Sequence, residues 1–441
     1  MELRDFLVTP IVLILIYWVA YLLRPYVSDE VNRVYYFPAL TLKILGAVAL
    51  GVVYQFYYGG GDTFMYHTYG SRIVWNVFLD SPSAGLKLLL ADSNNPRDIY
   101  QYASQIYLFR DPSSYAIIKM ASVFDLLTFS TYTATASLFA VLSFIGSWQF
   151  FLTFYKQFPH LHGKLAIAAF FIPSVFFWGS GLMKDSVTLA CLGIATYQFY
   201  NLFIAGKYRL SHLLLLLISL YLIFAVRKFI LQAYIPAILL WIGAAKVHHI
   251  RSVVVRVMLV PFVAAILAVS GYYSVVKIGE DDERYAVSKM AKTARKTAYD
   301  IRFWTGRNAG SGYTLDVKDW TPVGMIQAAP SAVNVALFRP YLWEVKNPLM
   351  LISSLESAFL FVFTLFVLGT NLGGIYKRLQ EHNVLFCLLF SLVLAFAVGI
   401  STFNFGTLVR YRIPMLPFFV LLLVMLSDRL KKPAAATELT L

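Results

Sequence analysis

The sequence has 441 residues, of which 59% are hydrophobic and only 14% are charged. Soluble globular proteins carry about 45–50% apolar and about 25% charged residues. The composition therefore excludes a soluble, disordered, collagen-like or disulfide-stabilised protein and predicts an all-α polytopic membrane protein. The formal charge of +14 is typical of loops that contact anionic headgroups, and it predicts membrane lipids rather than nucleic acid as partners.

Long apolar runs predict about eleven transmembrane helices, since a bilayer needs about 20 apolar residues per helix. The first run lacks a cleavage site and is expected to be retained rather than removed as a signal peptide. Arg227 and Lys228 interrupt 211–245, so this stretch forms either one broken helix or two. The runs are 6–23, 38–57, 129–154, 165–181, 186–205, 211–226, 229–245, 256–275, 347–370, 383–400 and 412–427.

Basic residues are unevenly distributed between the two sets of short loops, and cytoplasmic loops are enriched in lysine and arginine. The asymmetry predicts an N-terminus outside and a C-terminus in the cytoplasm, in a membrane that we expect to be the bacterial inner membrane. The richer set contains Arg24, Arg33, Lys43, Lys156, Lys164, Lys207, Arg209, Lys246, Arg251, Arg256, Lys377, Arg378, Arg429, Lys431 and Lys432.

This orientation places two long hydrophilic loops, 58–128 and 276–346, on the extracytoplasmic side. Loops of this length are functional or disordered more often than simple connections. Their aromatic and mixed-charge composition predicts short interfacial helices. Residues 1–432 are expected to form one transmembrane domain, followed by a disordered cytoplasmic tail, 433–441. The interfacial helices are expected at 70–90, 96–109 and 283–300.

A carboxylate stands at the predicted outer end of the second span. Asp62 follows three glycines, 59–61, in the stretch YYGGGDTFMYH, and glycines let a ligand approach the backbone closely. The aspartate either accepts a proton as a general base or caps a helix that begins there. Tyr66 and His67 follow as candidate supporting residues, and His67 is an acid–base group, a metal ligand or a structural donor.

Charged residues also stand at the outer ends of other predicted spans. Lys184 and Asp185 form either a salt-bridged hairpin, in which Asp185 is a helix cap, or a phosphate site at a helix N-terminus. Arg227 and Lys228 either extend to lipid headgroups or bind an anion. These three cations lie on the outer side, where the positive-inside rule disfavours lysine and arginine. Their position therefore suggests a function.

Two arginines complete the predicted anion site. Arg410 and Arg412 flank Tyr411 in NFGTLVRYRIP, and arginine forks match phosphate oxygens. Asn404 adds a neutral hydrogen-bonding group, and Tyr411 is a further candidate supporting residue. The sequence thus predicts a phosphate or diphosphate site at the extracytoplasmic surface of the membrane. Its five cations are Lys184, Arg227, Lys228, Arg410 and Arg412.

Two further charged residues accompany the ninth predicted span. Arg339 precedes this span in LFRPYLWE, and Glu356 lies within it. A glutamate inside a membrane is by default a functional candidate. With Ser353 and Ser357 nearby, it is equally a hydrogen-bond partner for a neighbouring helix.

The stretch GGGDTFMYH resembles the acidic motif in the first large outer loop of GT-C-type integral membrane glycosyltransferases. PSVFFWGSGLMKDS, LFRPYLWE and NFGTLVRYRIPMLP resemble motifs of bacterial surface-polysaccharide biosynthesis membrane proteins. The resemblance implies transfer of a sugar from a polyprenyl-phosphate donor to a glycan, lipid or protein acceptor. It also implies Asp62 as the base and Lys184, Arg410 and Arg412 as ligands of the lipid phosphate. No cofactor is certain, and a divalent metal stays open.

Two other functions fit the same residues. A polysaccharide polymerase or ligase would use a polyprenyl-diphosphate-linked oligosaccharide at the same outer cations. A flippase or transporter of a lipid-linked sugar would need discontinuous helices and charged residues near the middle of the membrane. We expect the transferase first, the polymerase or ligase second and the transporter third.

Overall fold

The structure is a computed structural model that describes residues 2–93, 99–248 and 311–428, except 316, 318 and 319. It also describes five separate residues, 292, 295, 296, 299 and 303. These residues form helices and no strand, apart from an isolated bridge between Gly312 and Asn404. The predicted all-α class is confirmed for this part of the chain.

Eighteen α-helices lie within the described ranges. Three of them continue as π-helical turns, α2 to Tyr57, α3 to Ser71 and α11 to Ile204. The helices are α1 (Leu3–Val27), α2 (Arg33–Val52), α3 (Asp62–Tyr66), α4 (Arg72–Asp80), α5 (Pro82–Leu90), α6 (Tyr100–Ala103), α7 (Pro112–Thr128), α8 (Tyr132–Tyr155), α9 (His162–Phe170), α10 (Pro173–Trp178), α11 (Lys184–Phe199), α12 (Leu210–His248), α13 (Pro322–Gln327), α14 (Ala329–Phe338), α15 (Pro348–Arg378), α16 (His382–Thr402), α17 (Phe405–Tyr411) and α18 (Leu416–Ser427).

Seven helices of the described chain are long and apolar enough to cross a membrane, namely α1, α2, α8, α11, α12, α15 and α16. The helices α17 and α18 meet at 67° and add an eighth if they cross together. This supports a membrane-spanning protein, although it accounts for fewer spans than the sequence predicts. The predicted span 256–275 lies outside the described residues.

The predicted span 165–181 is not one helix, because the chain breaks between α9 and α10. Pro173 begins α10, and a proline cannot donate the hydrogen bond that would continue α9. The broken segment still runs beside α2. The Tyr35 hydroxyl lies 2.8 Å from His162 Nδ1 near one end, and Lys43 Nζ donates to the Gly179 carbonyl at 3.2 Å near the other.

Charged side chains form hydrogen bonds with free backbone groups at both ends of α10. Lys43 is buried inside α2 and donates to the Val175 and Gly179 carbonyls. The Glu356 carboxylate accepts from the Ser174 amide at 2.7 Å. A cation at a helix C-terminus and an anion at its N-terminus both complement the helix dipole. The prediction that Lys43 lies in a cytoplasmic loop is therefore wrong.

The longest helix, α12, reverses direction at Arg227, whose backbone is non-helical (φ −149°, ψ 77°). His212 Nδ1 lies 2.7 Å from Gln198 Oε1, and the Tyr234 hydroxyl lies 2.9 Å from the Thr196 hydroxyl. In a straight helix, His212 and Tyr234 would lie about 33 Å apart at 1.5 Å per residue. Because they contact neighbouring residues of α11, the two arms form a hairpin.

The outer-loop predictions are tested only in part. Helices α4 and α5 occupy most of 70–90, and α6 lies within 96–109. The sequence did not predict α7 as a helix separate from the third span. Nearly half of the loop 276–346, including most of the predicted helix 283–300, and the tail 433–441 lie outside the described residues.

Candidate functional site

Four of the predicted residues meet at one point of the structure, which we call the ion cluster: Asp62, Asp185, Arg227 and Arg410. Arg410 Nη1 donates to Asp62 Oδ2 at 2.9 Å, and its Nη2 donates to Asp185 Oδ2 at 3.4 Å. Arg227 Nη2 donates to Asp185 Oδ1 at 2.5 Å. The four side chains come from α3, α11, α12 and α17, so only the tertiary fold brings them together.

Exposure increases across the ion cluster from Asp185 to Asp62. The Asp185 side chain is 0% exposed and that of Arg227 is 6% exposed. The Arg410 side chain is 18% exposed, whereas that of Asp62 is 43% exposed. A buried charge is tolerated when it is paired, and Asp185 is paired with two guanidinium groups. Asp185 therefore anchors the cluster, and Asp62 is its open end.

Aromatic rings hold the two guanidinium groups in place. Arg410 lies 5.7 Å from the ring centre of Trp178, and its Nη1 also donates to the Tyr54 hydroxyl at 3.3 Å. Arg227 lies 4.5 Å from the ring centre of Tyr411. Arginines favour such positions over aromatic faces. Tyr411, predicted as a supporting residue, thus contacts Arg227.

The glycine run before Asp62 adopts a backbone that other residues rarely adopt. The φ angles of residues 59–61 are +69°, +139° and +128°, in the region where a side chain causes strain. A Cβ on Gly61 would also lie 2.7 Å from the Tyr54 ring. The N-cap of α3 is Gly61 and not Asp62, so the capping interpretation of Asp62 is wrong and its carboxylate is directed to Arg410.

Lys184 stands at the first position of α11 but does not pair with the adjacent Asp185. Its Nζ lies 3.2 Å from Asp111 Oδ2 and donates to Ser113 Oγ at 2.6 Å. Asp111 also caps α7 by accepting from the Ser113 amide. The salt-bridged hairpin is therefore wrong. Lys184 lies within electrostatic range of Asp62 and Arg227, which places it beside the ion cluster.

Asp111 is the site residue that the sequence reasoning missed. Burial opposes its ionisation, but the nearby Lys184 ammonium and hydrogen bonds from the hydroxyls of Ser114 and Ser113 lower its pKa below the usual range. The only local signal was an aspartate before Pro112, which is typical of a helix N-cap with proline at the first position. That signal predicts a cap and says nothing of Lys184.

Tyr66 and His67 lie beneath Asp62 and away from solvent. Burial raises the pKa of Tyr66 well above its usual value, and the nearby Asp62 charge adds to this effect. His67 is fully buried, with Nε2 3.6 Å from Asp125 Oδ1. Asp125 in turn accepts from the Thr135 hydroxyl at 2.6 Å. Among the described residues, no group of three or more His, Cys, Asp or Glu is arranged to hold a metal ion.

Arg412 lies apart from Arg410 and is fully buried. Its Nη2 donates to Glu356 Oε1 at 3.2 Å, and its Nη1 donates to Ser357 Oγ and to the Arg339 carbonyl, each at 3.0 Å. Every one of these partners belongs to α15 or to the segment before it. The guanidinium is therefore not presented to the anion site that the sequence predicted for it.

The remaining predicted residues have other partners. Arg339 forms an ion pair with Glu344. Burial raises the pKa of Glu344, but the hydrogen bonds and charge of Arg339 lower it below its usual value. Asn404 caps α17 by accepting from the Thr407 amide at 3.1 Å. Lys228 Nζ lies 4.6 Å from the ring centre of Phe224, and no carboxylate pairs with Lys228 within the described part of the chain.

A cavity of about 470 Å³ lies next to the ion cluster. Trp178 lines the cavity and also carries Arg410 over its ring. Most of the wall area is apolar, and its polar residues are Ser174, Ser311, Asn347, Ser353, Glu356 and Asn404, besides two tyrosines. Small-molecule pockets commonly enclose about 300–1,000 Å³ with a few polar groups, so this cavity has the size of a ligand site. Its apolar lining includes Pro173, Phe177, Leu349, Met350, Ile352 and Phe405.

The chain matches no protein-family model, no curated protein and no solved structure. The interpretation of the site therefore depends on the geometry of these residues and on the short motif resemblances in the sequence.

Proposed function

We propose that the protein is a membrane glycosyltransferase that moves a sugar from a polyprenyl-phosphate donor to an acceptor hydroxyl on the extracytoplasmic face. The observation that carries this proposal is the contact of Arg410 with both Asp62 and Trp178, which joins an exposed carboxylate to a cation beside an apolar cavity. A phosphorylated lipid needs cations for its headgroup and an apolar groove for its chain. The attacking hydroxyl needs a nearby base.

In this proposal, Arg410 and Lys184 bind the lipid phosphate, and Arg227 and Lys228 add positive charge around it. The acceptor oxygen bonds to the anomeric carbon, and its proton passes to Asp62. The bond between that carbon and the phosphate oxygen breaks, and the polyprenyl phosphate leaves with the electron pair. The guanidinium groups stabilise the charge that develops on the leaving phosphate.

Asp185 has a positioning role in this reaction, and Arg412 has none. Asp185 holds both Arg227 and Arg410 through its two carboxylate oxygens. Because it is fully buried, it is not available to a substrate. Arg412 is fully buried and paired with Glu356, so we assign it to the packing of α15 rather than to phosphate binding.

The distribution of basic residues supports an extracytoplasmic site. Asp185 lies near the start of α11, whereas Lys207 and Arg209 lie in the loop after the end of α11. If the basic loop is cytoplasmic, as the orientation rule indicates, the ion cluster lies at the opposite membrane face. We therefore retain the N-outside, C-inside orientation, in a bacterial inner membrane, as part of the proposal.

A lipid-linked sugar flippase is the other candidate that a structural observation favours. The break between α9 and α10 and the reversal at Arg227 are discontinuities typical of transporters. The buried charges beside the break between α9 and α10 do not support transport, because Lys43 and Glu356 already form hydrogen bonds with the ends of α10. No described charge at that break is left to bind a transported ion.

The first test is native mass spectrometry of the full-length protein, released from its own membrane. We expect a bound polyprenyl monophosphate or its sugar conjugate, and loss of that species in Arg410→Gln. A bound diphosphate-linked oligosaccharide would instead favour the polymerase or ligase. If no phosphorylated lipid binds, even after addition of polyprenyl phosphate, the proposal is wrong.

A transport assay distinguishes the flippase from the transferase. The protein is reconstituted into vesicles with a polyprenyl-phosphate sugar, and a soluble acceptor is added. Sugar transfer to the acceptor supports the transferase. Movement of the lipid-linked sugar between leaflets without transfer supports the flippase.

A further inference from the structure

Both terminal nitrogens of Arg410 are already occupied. Nη1 donates to Asp62 and Tyr54, and Nη2 donates to Asp185. Its third nitrogen, Nε, is buried without a hydrogen-bond partner among the described residues. Three of the five N–H groups of the guanidinium are thus in use and a fourth is buried, so a phosphate cannot form a two-point contact with Arg410 unless one carboxylate leaves.

Apart from Lys228, the cations of the proposed site are balanced by carboxylates before a ligand binds. Arg227 and Arg410 are paired with Asp185 and Asp62, and Lys184 is paired with Asp111. These three cations thus face three carboxylates. A balanced site attracts an added anion weakly, so the anion gains most by taking the place of a carboxylate.

Asp62 is the carboxylate that can leave. Asp185 is fully buried, and its loss would leave the buried Arg227 and the partly buried Arg410 without their shared anion, which is strongly unfavourable. Asp62 is 43% exposed, and exposed ion pairs contribute little to stability. The backbone before it has open space, because a Cβ on Gly59 or Gly60 would meet nothing within 4 Å.

We propose that the donor phosphate displaces Asp62 from Arg410, so that the carboxylate becomes free to act as a base only when the donor is bound. This inference rests on the proposed glycosyltransferase function. Asp185 keeps Arg410 in position during the exchange, and Arg410 gains a charge-assisted contact with phosphate oxygens. A carboxylate beside a phosphate accepts a proton more readily than one paired with a guanidinium.

The exchange has a consequence for the reaction order. Before the donor binds, Arg410 holds Asp62 and the base is masked. The donor therefore binds first, and the acceptor hydroxyl is activated second. An acceptor alone at the site meets a paired carboxylate and is not deprotonated.

A double-mutant cycle on lipid binding tests the exchange. Affinity for farnesyl phosphate is measured on the full chain in detergent, for the wild type, Asp62→Asn, Arg410→Gln and the double variant. We expect Asp62→Asn to bind about tenfold more tightly than the wild type, within the coupling energies of neighbouring charged residues. We expect this gain to vanish in the Arg410→Gln background, because the two anions no longer share a guanidinium.

Other results would overturn the exchange. An equal gain in both backgrounds would mean that Asp62 repels the phosphate from a distance. No gain in Asp62→Asn would mean that phosphate and Asp62 do not compete. In either case the wild type still binds farnesyl phosphate, so the proposed function stands. If neither the wild type nor Asp62→Asn binds it, the proposed function fails together with the exchange.

Three controls identify the group that competes with the phosphate. Asp80→Asn removes an exposed carboxylate from the same predicted loop that forms no described ion pair with Arg410, and it should leave the affinity unchanged. Farnesol lacks the phosphate and should show no gain in Asp62→Asn; a gain with farnesol would overturn the exchange. Inorganic phosphate should show the same gain at lower affinity if the headgroup alone competes, and it separates free phosphate from the lipid as the ligand.

Discussion

Arg410 donates a hydrogen bond of 2.9 Å to Asp62 across 348 positions of the sequence. The contact joins α17, near the end of the chain, to α3, near its beginning. Because Asp185 holds the same guanidinium from the buried side, Arg410 connects a fixed anion to an exposed one. The proposed chemistry depends on this difference in exposure.

Asp62→Asn should reduce sugar transfer by about 10²–10⁴-fold, the usual contribution of a general base. The asparagine keeps the shape of the side chain but cannot accept the proton. Thermal unfolding should change little, because the ion pair that is lost is exposed and contributes about 0–1 kcal/mol. Transfer is measured with a polyprenyl-phosphate sugar in detergent, and full activity would remove Asp62 from the mechanism.

Asp185→Asn should reduce stability far more than Asp62→Asn. The substitution leaves Arg227 and Arg410 without their buried anion, and breaking a buried ion pair costs about 3–5 kcal/mol. Thermal unfolding of the two variants in the same detergent compares the costs directly. Equal stabilities would contradict the assignment of Asp185 as the anchor of the ion cluster.

Arg410→Gln should lower the affinity for the lipid phosphate, whereas Arg412→Gln should lower the stability of the fold. Arg410→Gln should weaken binding of farnesyl phosphate by about 10- to 100-fold, since a charge-assisted hydrogen bond contributes about 1.5–3 kcal/mol. Arg412→Gln should leave this affinity nearly unchanged and lower the unfolding temperature, because it leaves the buried Glu356 without the cation that pairs with it. Similar losses of affinity in both variants would show that Arg412 also binds the phosphate.

The two arginines also show what the sequence could not reveal. Arg410 and Arg412 are two positions apart, and their side chains were expected to share one anion. The chain turns by 67° between α17 and α18, and Arg412 lies in that turn. Its guanidinium consequently faces Glu356, while Arg410 faces Asp62. Local spacing does not determine such a divergence.

The apolar runs of the sequence predicted most of the long helices, because a helix that crosses a membrane needs a long run of apolar residues. The predictions failed where side chains replace backbone hydrogen bonds, as Lys43 and Glu356 do at α10. They also missed Asp111, whose partner Lys184 lies 73 positions away. Long-range partners of this kind leave no periodic pattern in one sequence.

The ion pair between Asp111 and Lys184 should make stability sensitive to acid. Since the folded-state pKa of Asp111 is lowered from 3.8, its stabilising effect is fully present above the unfolded value and is lost as the pH falls through the lowered folded value. Asp111→Asn should therefore be less stable than the wild type above about pH 5. The difference should shrink as the pH falls below 4, and a constant difference in unfolding temperature from pH 3 to 6 would contradict this assignment.

The orientation is testable with single cysteines, because the native Cys191 and Cys387 are both buried. Tyr69 is exposed in the loop that carries Asp62, and Tyr208 is exposed in the basic loop after α11. In intact cells, a membrane-impermeant maleimide should label Tyr69→Cys and should label Tyr208→Cys only after permeabilisation. The unmodified protein should stay unlabelled in both conditions. Since the proposed acceptor reaches the base from the extracytoplasmic side, the reverse pattern would place Asp62 in the cytoplasm and remove the topological basis of the proposal.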